Sequence, residues 1–95
     1  MHYVYFLFLK NEDIYIGLTD DLRRRINEHA LGKVESTKSF RPFQLVGYEA
    51  YALKSDAQRR ERFLKTTEGR RLFRQQYRDI LAIGSGSHST PRPVE

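Results

Sequence analysis

Residues 2–9, which read HYVYFLFL, constrain the fold of this chain more than any other segment. In a β-strand successive side chains point to opposite faces, so the odd-numbered residues 3–9 would share one face and the even-numbered residues 4–8 the other. Both sets consist of apolar or aromatic side chains. A strand that is apolar on both faces is typical of the centre of a sheet, and we predict that position for this segment.

A second strand follows after a short polar turn. The turn reads KNED and the strand reads IYIGL, which together predict an antiparallel hairpin. The residue numbers of antiparallel partners add up to a constant, so Tyr5 and Tyr15 lie on the same face only if that sum is even. An even sum requires an odd number of loop residues, and we therefore predict a loop of three or five residues.

The residues after this hairpin predict a helix. Thr19 or Asp20 can supply the N-cap oxygen, and Gly32 can end the helix. The apolar residues that recur at helical spacing and should form its buried stripe are Leu22, Ile26 and Ala30.

The remaining chain predicts one more strand and two more helices. KVESTKSFRP is expected to be a loop, because Pro42 disfavours helical geometry at the preceding residue, and FQLVGYEAYA alternates like a strand. Ser55 and Gln58 have the spacing of a capping box, which predicts a helix from about Asp56 to Lys65.

A third helix should begin after Thr66 or Thr67 and run to about Ala82. The apolar residues that recur along it are Phe73, Tyr77, Ile80 and Leu81. The prediction is thus an α+β fold, with a small three-stranded antiparallel sheet flanked by three helices in the order β-β-α-β-α-α. Residues 1–83 would form one domain, and residues 84–95, GSGSHSTPRPVE, a flexible C-terminal tail.

Composition excludes several classes of protein. A chain of 95 residues forms one small domain with little room for a large internal cofactor pocket. The absence of cysteine excludes disulfides, thiolate zinc sites and cysteine nucleophiles. No apolar run approaches the roughly 20 residues that span a bilayer, and the N-terminus lacks a cationic leader. We therefore expect a cytoplasmic protein.

The net charge of +5 is unevenly distributed. Residues 54–78 contain nine Lys and Arg residues and three Asp and Glu residues. Such a concentration indicates a polyanionic partner, of which nucleic acid is the commonest. A solvated helical face explains the charge alone equally well.

Several short motifs occur in a fixed order along the chain. Tyr15-Ile16-Gly17 follows Val4-Tyr5-Phe6 at an interval of ten residues, and Thr19, Asp21-Leu22, Arg25 and His29 come next. The later motifs are Arg41-Pro42, Leu45-Val46, Glu49, Arg59 or Arg60, Glu61 and Lys65. Over about residues 3–80 this series resembles the GIY-YIG nuclease domain in its short single-domain bacterial form. The chain departs from that pattern where the first motif lacks its glycine and isoleucine, and where Thr66-Thr67-Glu68-Gly69 replaces T-G-x-G.

The resemblance implies a metal-dependent endonuclease that hydrolyses DNA phosphodiester bonds, in DNA repair, recombination or the processing of unusual DNA structures. The catalytic residues that it implies are Tyr5, Tyr15, Arg25, His29 and Glu61. Glu61 would hold Mg²⁺ or Mn²⁺, and Arg25 would bind the phosphate in the transition state. Tyr5 would activate water, with Tyr15 and His29 positioning water or phosphate. His29 acting alone or through Tyr5 is the other assignment of the base.

The expected partner is DNA, which the resemblance leaves open as branched, damaged or single-stranded. The basic residues expected to bind it are Arg23, Arg59, Arg60, Lys65, Arg70 and Arg71. Members of the family within larger proteins often take their specificity from a separate domain. Here a partner protein or a homodimer would have to supply it.

Helix geometry limits the choice among three consecutive arginines. At about 100° per residue, Arg24 points away from the apolar stripe of the first helix and should be solvated. Arg25 and His29 lie along one edge of that stripe, and Arg23 and Asn27 along the other. Position alone leaves open which edge faces the cleft, and the resemblance selects Arg25 and His29.

Each candidate residue also has a structural interpretation. Tyr5 and Tyr15 are common strand residues, and Glu61 has the spacing to pair with Lys65 on a helix. His29 near a helix C-terminus is often stabilised by the helix dipole. The alternative function is a non-catalytic nucleic-acid-binding module that keeps the GIY-YIG fold, and a protein-interaction domain ranks third.

Overall fold

The apolar first strand lies in the middle of a three-stranded sheet in the computed structural model, which describes residues 1–86. Strand β1 (His2–Phe8) pairs with β2 (Ile14–Thr19) on one side and with β3 (Gln44–Tyr51) on the other. Both pairings are antiparallel. The predicted α+β class, the antiparallel sheet and the central position of β1 are confirmed.

The hairpin loop has an odd number of residues. The Leu9 N–H donates to the Asp13 carbonyl at 2.9 Å, and the Glu12 N–H donates to the Leu9 carbonyl at 2.9 Å. Glu12 has a positive φ of 68°, the left-handed conformation that often closes a three-residue hairpin loop. Three residues separate Leu9 from Asp13, and five separate the strand ends Phe8 and Ile14, as the parity argument requires.

The strand register places the two tyrosines on one face. Tyr5 pairs with Gly17, and Leu7 pairs with Tyr15, so both pairs have the same even sum. Tyr5 and Tyr15 therefore project from the same side of the sheet, as predicted.

The helices form a layer on each face of the sheet. The helices are α1 (Leu22–Ala30), α2 (Lys54–Leu64), α3 (Thr67–Gln76) and α4 (Arg78–Gly86), with a short 3₁₀ helix at Lys38–Phe40. The even face of β1 forms the larger core, which consists of Val4, Phe6, Phe8, Ile14, Ile16, Ala57, Leu64, Phe73 and Leu81. The odd face forms the smaller core, in which Tyr5, Leu7 and Leu9 pack against Tyr15, Leu22, Ile26 and Phe43. Helix α1 therefore covers one face, and the three later helices cover the other.

Two details of α1 differ from the prediction. Its N-cap is Asp21, whose Oδ1 accepts from the Arg24 N–H at 3.1 Å, rather than Thr19 or Asp20. Ala30 is exposed, whereas His29 is the buried residue of this helix. The helix is thus rotated so that a polar ring occupies the position we assigned to alanine, because that ring has hydrogen-bond partners beneath it.

The predicted capping box of α2 is wrong. The helix begins at Lys54, and its N-cap is Leu53, which makes no side-chain capping hydrogen bond. Ser55 lies inside the first turn, together with Asp56, whose negative charge suits the positive end of the helix dipole. Leu53 is still extended, and helical geometry begins at the next residue, Lys54.

The single helix predicted after α2 is two helices. The chain leaves helical geometry at Tyr77, with φ −107° and ψ 25°, and its ring packs 4.6 Å from Phe73 and 5.3 Å from Phe6. The sequence carries no sign of this break, because Phe73, Tyr77 and Leu81 keep a spacing of four. Helix α4 also extends to Gly86, so the first residues of the predicted tail are helical. Residues 87–95 lie outside the described residues, and their flexibility stays a prediction.

Within residues 1–86, no helix is both long enough and apolar enough to cross a membrane.

Gly69 sits where α3 crosses closely over the end of α2. A methyl group there would overlap the carbonyl oxygen of Phe63 and lie 2.8 Å from Leu64 Cα, both of which are backbone atoms. We expect Gly69→Ala to lower the free energy of unfolding by about 3 kcal/mol, because neither backbone segment can yield cheaply. Urea denaturation measures this change.

Gly47→Ala is the matched control for this substitution. The added methyl group would lie 3.2 Å from Cε1 of the Tyr77 side chain, which can shift by a few tenths of an ångström. Equal destabilisation by the two substitutions would contradict the close approach of α3 to α2.

Candidate active site

Tyr5 crosses from the central strand to the edge of the sheet. Its side chain is almost fully buried, with 1% of the residue exposed. The ring lies over Gly17 of the neighbouring edge strand, since a methyl group on Gly17 would overlap both Cζ and the hydroxyl oxygen of Tyr5. The phenol hydroxyl therefore reaches the β2 side of the molecule only because residue 17 has no side chain.

His29 is the hydrogen-bond partner of this hydroxyl in the protein interior. Its Nε2 lies 2.8 Å from the Tyr5 hydroxyl oxygen, and its Nδ1 lies 2.7 Å from Thr37 Oγ1. His29 and Thr37 are both 0% exposed. The Tyr15 ring packs beside them, 6.2 Å from the Tyr5 ring and 5.1 Å from the His29 ring between centroids. Four side chains from two strands, a helix and a loop thus form one buried cluster.

Arg25 lies one helical turn before His29, on the same edge of α1. Its guanidinium donates to Glu28 Oε1 at 2.9 Å, and its positive charge acts on the pKa of Tyr5. About a third of the Arg25 side chain is exposed, so it connects the buried cluster with solvent. Arg24 is largely solvated, and within the described residues its one ion pair is with Asp20, at 3.7 Å. The structure thus places Arg25 and His29 on the inner edge, as the resemblance indicated, and leaves Arg24 in solvent.

Burial and charge set the protonation states of the cluster. Desolvation raises the pKa of Tyr5 to about 12, although the Arg25 cation acts in the opposite direction. Desolvation, and then Arg25, lower the pKa of His29. Arg25 in turn lowers the pKa of Glu28 through their hydrogen bond. Near neutral pH the cluster therefore contains a neutral phenol, a neutral imidazole and an arginine–glutamate ion pair.

Within residues 1–86, Glu61 makes no hydrogen bond or ion pair with this cluster. It lies on α2 between the buried residues Ala57 and Leu64 of the same helical face, and 21% of its side chain is exposed. In the described part of the chain its carboxylate pairs with Lys65, at 3.1 Å. The ion pair that we considered as the structural interpretation of Glu61 is thus present.

Both helical layers nevertheless reach the same edge of the sheet. Helix α2 packs on β1 and β2 from the face opposite α1. A polar cavity of about 380 Å³ at the end of β2 is lined by residues from both layers, including Arg25 and Glu28 of α1 and Lys54 of α2. Glu61 follows Lys54 by two turns on the same face of α2, about 10 Å along the helix axis, and does not itself line this cavity. The edge at β2 is the place where α1 and the beginning of α2 are accessible to one ligand.

The six basic residues expected to bind DNA have different environments. Arg60 is paired with Glu49 through two hydrogen bonds of 3.0 and 3.3 Å, and about a third of its side chain is exposed. Its role in DNA binding stays a prediction. Three others are in ion pairs on helix surfaces, namely Arg59 with Asp56, Lys65 with Glu61, and Arg71 with Glu68. Arg23 and Arg70 are exposed and have no ion pair within residues 1–86.

Arg23 borders a second, larger cleft between α1 and β3. This cleft has a volume of about 890 Å³, and its far wall includes Tyr3, Leu45 and Tyr48. Tyr48 is 52% exposed and forms an edge-to-face pair with Tyr3. Arginines thus face exposed aromatic and aliphatic side chains across an open groove.

Comparison with known proteins places these observations in a family. The model of the GIY-YIG catalytic domain matches residues 1–77. The chain belongs to the GIY-YIG family. As a member of that family it has a domain of nuclease type.

Proteins similar to this chain occur in several organisms. UPF0213 protein SH2523 of Staphylococcus haemolyticus is 42% identical over 66 residues, which cover 68% of this chain and 80% of that protein. UPF0213 protein HQ_3675A of Haloquadratum walsbyi is 38% identical over 66 residues, covering 68% and 74%. The solution NMR structure of UPF0213 protein BH0048 from Bacillus halodurans has a TM-score of 0.53 and 36% identity, over 79% of this chain and 83% of that one.

The structure explains the incomplete first half of the GIY-YIG signature. With Tyr5 as the tyrosine of the motif, Tyr3 and Val4 occupy the positions of its missing glycine and isoleucine. Val4 is fully buried in the larger core, whereas Tyr3 is partly buried on the Tyr5 side of the sheet and pairs edge-to-face with Tyr48. The departure therefore affects the larger core at Val4 and the wall of the cleft between α1 and β3 at Tyr3. The final glycine of YIG is Gly17, whose missing side chain lets the Tyr5 ring pass.

Sequence reasoning missed Glu28 and Thr37. Glu28 lies three residues after Arg25, a spacing that predicts an ion pair on a helix and could have identified it. Thr37 lies in the loop after α1, where no periodicity marks a buried hydroxyl. Only the folded chain brings it to His29.

The overlap between Gly17 and Tyr5 predicts the effect of Gly17→Ala. We expect a loss of about 1–3 kcal/mol in the free energy of unfolding, because the phenol must leave its position over β2 and break its hydrogen bond to His29. A double-mutant cycle with Tyr5→Ala, measured by urea denaturation, tests the cause. The cost of the added methyl group should largely disappear once the ring is removed, and an unchanged cost would locate the strain elsewhere.

The lowered pKa of His29 predicts a pH dependence of stability. An unfolded histidine, with a pKa near 6.5, binds protons at a higher pH than His29 does in the fold. Stability from this group is therefore complete above about pH 6.5 and is lost as pH falls through the window between 6.5 and the lower folded value. Stability measured from pH 7.5 to 5 should fall less steeply in His29→Gln than in the wild type, whereas His2→Gln, outside the cluster, should retain the wild-type slope. Parallel curves for His29→Gln and the wild type would contradict the buried neutral imidazole.

Proposed function

We propose that this protein is a metal-dependent endonuclease that hydrolyses DNA phosphodiester bonds. The observation that carries the proposal is the hydrogen bond between the Tyr5 hydroxyl and the His29 ring, one helical turn from Arg25, which lines a polar cavity at the edge of β2. Phosphodiester hydrolysis needs a cation for the phosphate, an acceptor for the proton of water and charge stabilisation in the transition state. The cluster supplies chemically suitable groups for the first two.

Arg25 is the residue that would bind the scissile phosphate. Its guanidinium is partly exposed, has a planar donor arrangement suited to phosphate oxygens, and lies beside the phenol. Glu28 holds it in place in the free protein. A phosphate would compete with Glu28 for the same donors, so the ion pair orients Arg25 without burying it.

Tyr5 is the residue that would take the proton from water. Its raised pKa keeps the hydroxyl neutral in the free protein, and phenolate becomes accessible only when positive charge accumulates nearby. His29 Nε2 lies 2.8 Å from the hydroxyl oxygen, within the distance for proton transfer. Tyr15 packs against both rings and would keep them aligned.

Glu61 is the residue that would hold Mg²⁺ or Mn²⁺. Within residues 1–86, no group of three or more His, Cys, Asp or Glu side chains is arranged to hold a metal ion. One carboxylate nevertheless fits a hydrated Mg²⁺, which keeps several waters and takes one or two carboxylates together with substrate phosphate. When bound, the ion would neutralise charge on the phosphate and the leaving oxygen. To bind the ion, Glu61 would have to give up its ion pair with Lys65.

The cleft beside Arg23 supports DNA with unpaired bases as the substrate. Exposed aromatic rings stack on unpaired bases, and arginines follow the phosphate backbone. Tyr48 and Arg23 face each other in this cleft. The proposal extends to a cytoplasmic enzyme of DNA repair or recombination, with specificity completed by a partner protein or a second copy.

Cleavage of DNA in the presence of Mg²⁺ tests the proposal. Purified protein should be incubated with single-stranded, branched and duplex DNA and with either Mg²⁺ or EDTA. We expect Tyr5→Phe, Arg25→Ala and Glu61→Ala each to lower the cleavage rate at least about 100-fold, because each removes a group acting on the reacting atoms.

Two exposed residues outside both cavities provide controls. Arg74→Ala removes an arginine exposed on α3, and Glu68→Gln removes a carboxylate exposed on the same helix. Both should retain cleavage within a few-fold of the wild type. The ion pair of Glu61 with Lys65 favours the rival function, a nucleic-acid-binding module without turnover. Tight binding without cleavage of any substrate in the panel would establish that rival.

A further inference from the structure

Thr37 has a buried hydroxyl that the fold does not use for capping. It is the N-cap residue of the 3₁₀ helix, where a threonine oxygen ordinarily accepts from the first turn, but it makes no side-chain capping hydrogen bond. Its Oγ1 lies 2.7 Å from His29 Nδ1 and 3.5 Å from the Val34 carbonyl. The residue is 0% exposed. The short contact of this hydroxyl is therefore with the imidazole.

Two proton arrangements fit the distances around His29. A neutral imidazole carries one N–H and one acceptor nitrogen. In the first arrangement, Nδ1–H donates to Thr37 and Nε2 accepts from the Tyr5 hydroxyl. In the second arrangement, Nε2–H donates to Tyr5, and Thr37 donates to Nδ1.

The surroundings of Tyr5 distinguish the two arrangements. Within residues 1–86 the hydrogen-bond partner of the Tyr5 hydroxyl is His29 Nε2. In the second arrangement the Tyr5 oxygen would accept from Nε2–H, and its own proton would need another acceptor within the buried cluster. In the first arrangement the proton of Tyr5 goes to Nε2, and the proton of Thr37 goes to the Val34 carbonyl. Only the first arrangement gives every proton of the hydrogen-bonded series Tyr5–His29–Thr37 an acceptor without using Tyr15 as an additional acceptor.

We propose that Thr37 is a positioning residue that accepts the Nδ1 proton of His29 and so keeps Nε2 free to receive the proton of Tyr5. The catalytic consequence rests on the proposed nuclease function. In that step the O–H bond of Tyr5 breaks and an N–H bond forms at His29 Nε2. The resulting imidazolium keeps its Nδ1–H on Thr37, and the phenolate is left beside Arg25. The tautomer itself is a property of the free protein and needs no DNA.

Nitrogen NMR of ¹⁵N-histidine-labelled protein tests the tautomer directly. The chain has three histidines, so His2→Gln and His88→Gln assign the His29 signals by elimination. We expect the wild type near neutral pH to show a protonated Nδ1 and an unprotonated Nε2 for His29. The opposite pattern would overturn the proposal.

Substitutions at Thr37 separate its hydroxyl from its shape. Thr37→Val keeps the volume but removes the oxygen, so the Nδ1–H form should lose its preference and the Nε2–H form should appear. Thr37→Ser restores an oxygen and should restore the wild-type pattern. Thr19→Val removes the hydroxyl of another buried threonine, one bonded to Asp21, and should leave the His29 signals unchanged. A Thr37→Val protein that keeps the wild-type tautomer would contradict the proposal. If Thr37→Val does not fold, the wild-type and Thr37→Ser spectra still decide it.

Cleavage assays connect this tautomer with activity. Thr37→Val should lower the cleavage rate at least about tenfold while leaving the DNA dissociation constant within about twofold, and Thr37→Ser should recover most of the rate. The predicted tautomer in a protein that cuts no DNA would refute the nuclease function and leave the tautomer assignment intact. An active enzyme with the opposite tautomer would refute the role of Thr37 alone.

Discussion

The hydrogen bond between the Tyr5 hydroxyl and His29 is the interaction on which the arrangement of the site depends. The central strand places a phenol under α1, where water does not reach it. A buried hydroxyl without a partner costs about 1–3 kcal/mol. The cost is avoided because His29, from a different element, reaches the oxygen at 2.8 Å, and Thr37 satisfies the other side of the ring. The docking of α1 and the path of the following loop are thus tied to polar groups as well as to apolar packing.

The sheet separates packing from chemistry. The even face of β1 contributes Val4 and Phe6 to the larger core, and the odd face contributes Tyr5 to the polar cluster. A substitution on the even face therefore changes the packing of α2 and α3 without altering the groups near the phenol. Of the two motif positions that differ, Val4 lies on this packing face, and Tyr3 lies on the side of the phenol, where it pairs with Tyr48.

In the free protein, electrostatic interactions keep the proposed catalytic groups either neutral or ion-paired. Desolvation keeps Tyr5 and His29 neutral. Arg25 is paired with Glu28, and Glu61 is paired with Lys65. Each of these contacts involves a group to which we assign a role toward phosphate or a divalent ion. A negatively charged ligand with a bound cation would replace Glu28 as the partner of Arg25 and Lys65 as the partner of Glu61. The added positive charge would favour the phenolate form of Tyr5. The two layers that carry Arg25 and Glu61 are accessible together at the edge formed by β2.

Local patterns in the sequence determined the strands, the parity of the hairpin, the approximate helices and the inner edge of α1 that carries Arg25 and His29. These features follow from periodicity and from the order of short motifs, which depend on neighbouring residues. Tertiary structure alone decided that His29 replaces Ala30 as the buried residue of α1, that Tyr77 divides the last helix, that Arg60 belongs to Glu49 and that Thr37 reaches His29. Each of these outcomes depends on a partner distant in sequence or on the rotation of a whole helix, and no local spacing encodes either one. Gly17 involves both sequence and tertiary structure. The motif identifies the residue, and only the Tyr5 ring packed over it explains why it is a glycine.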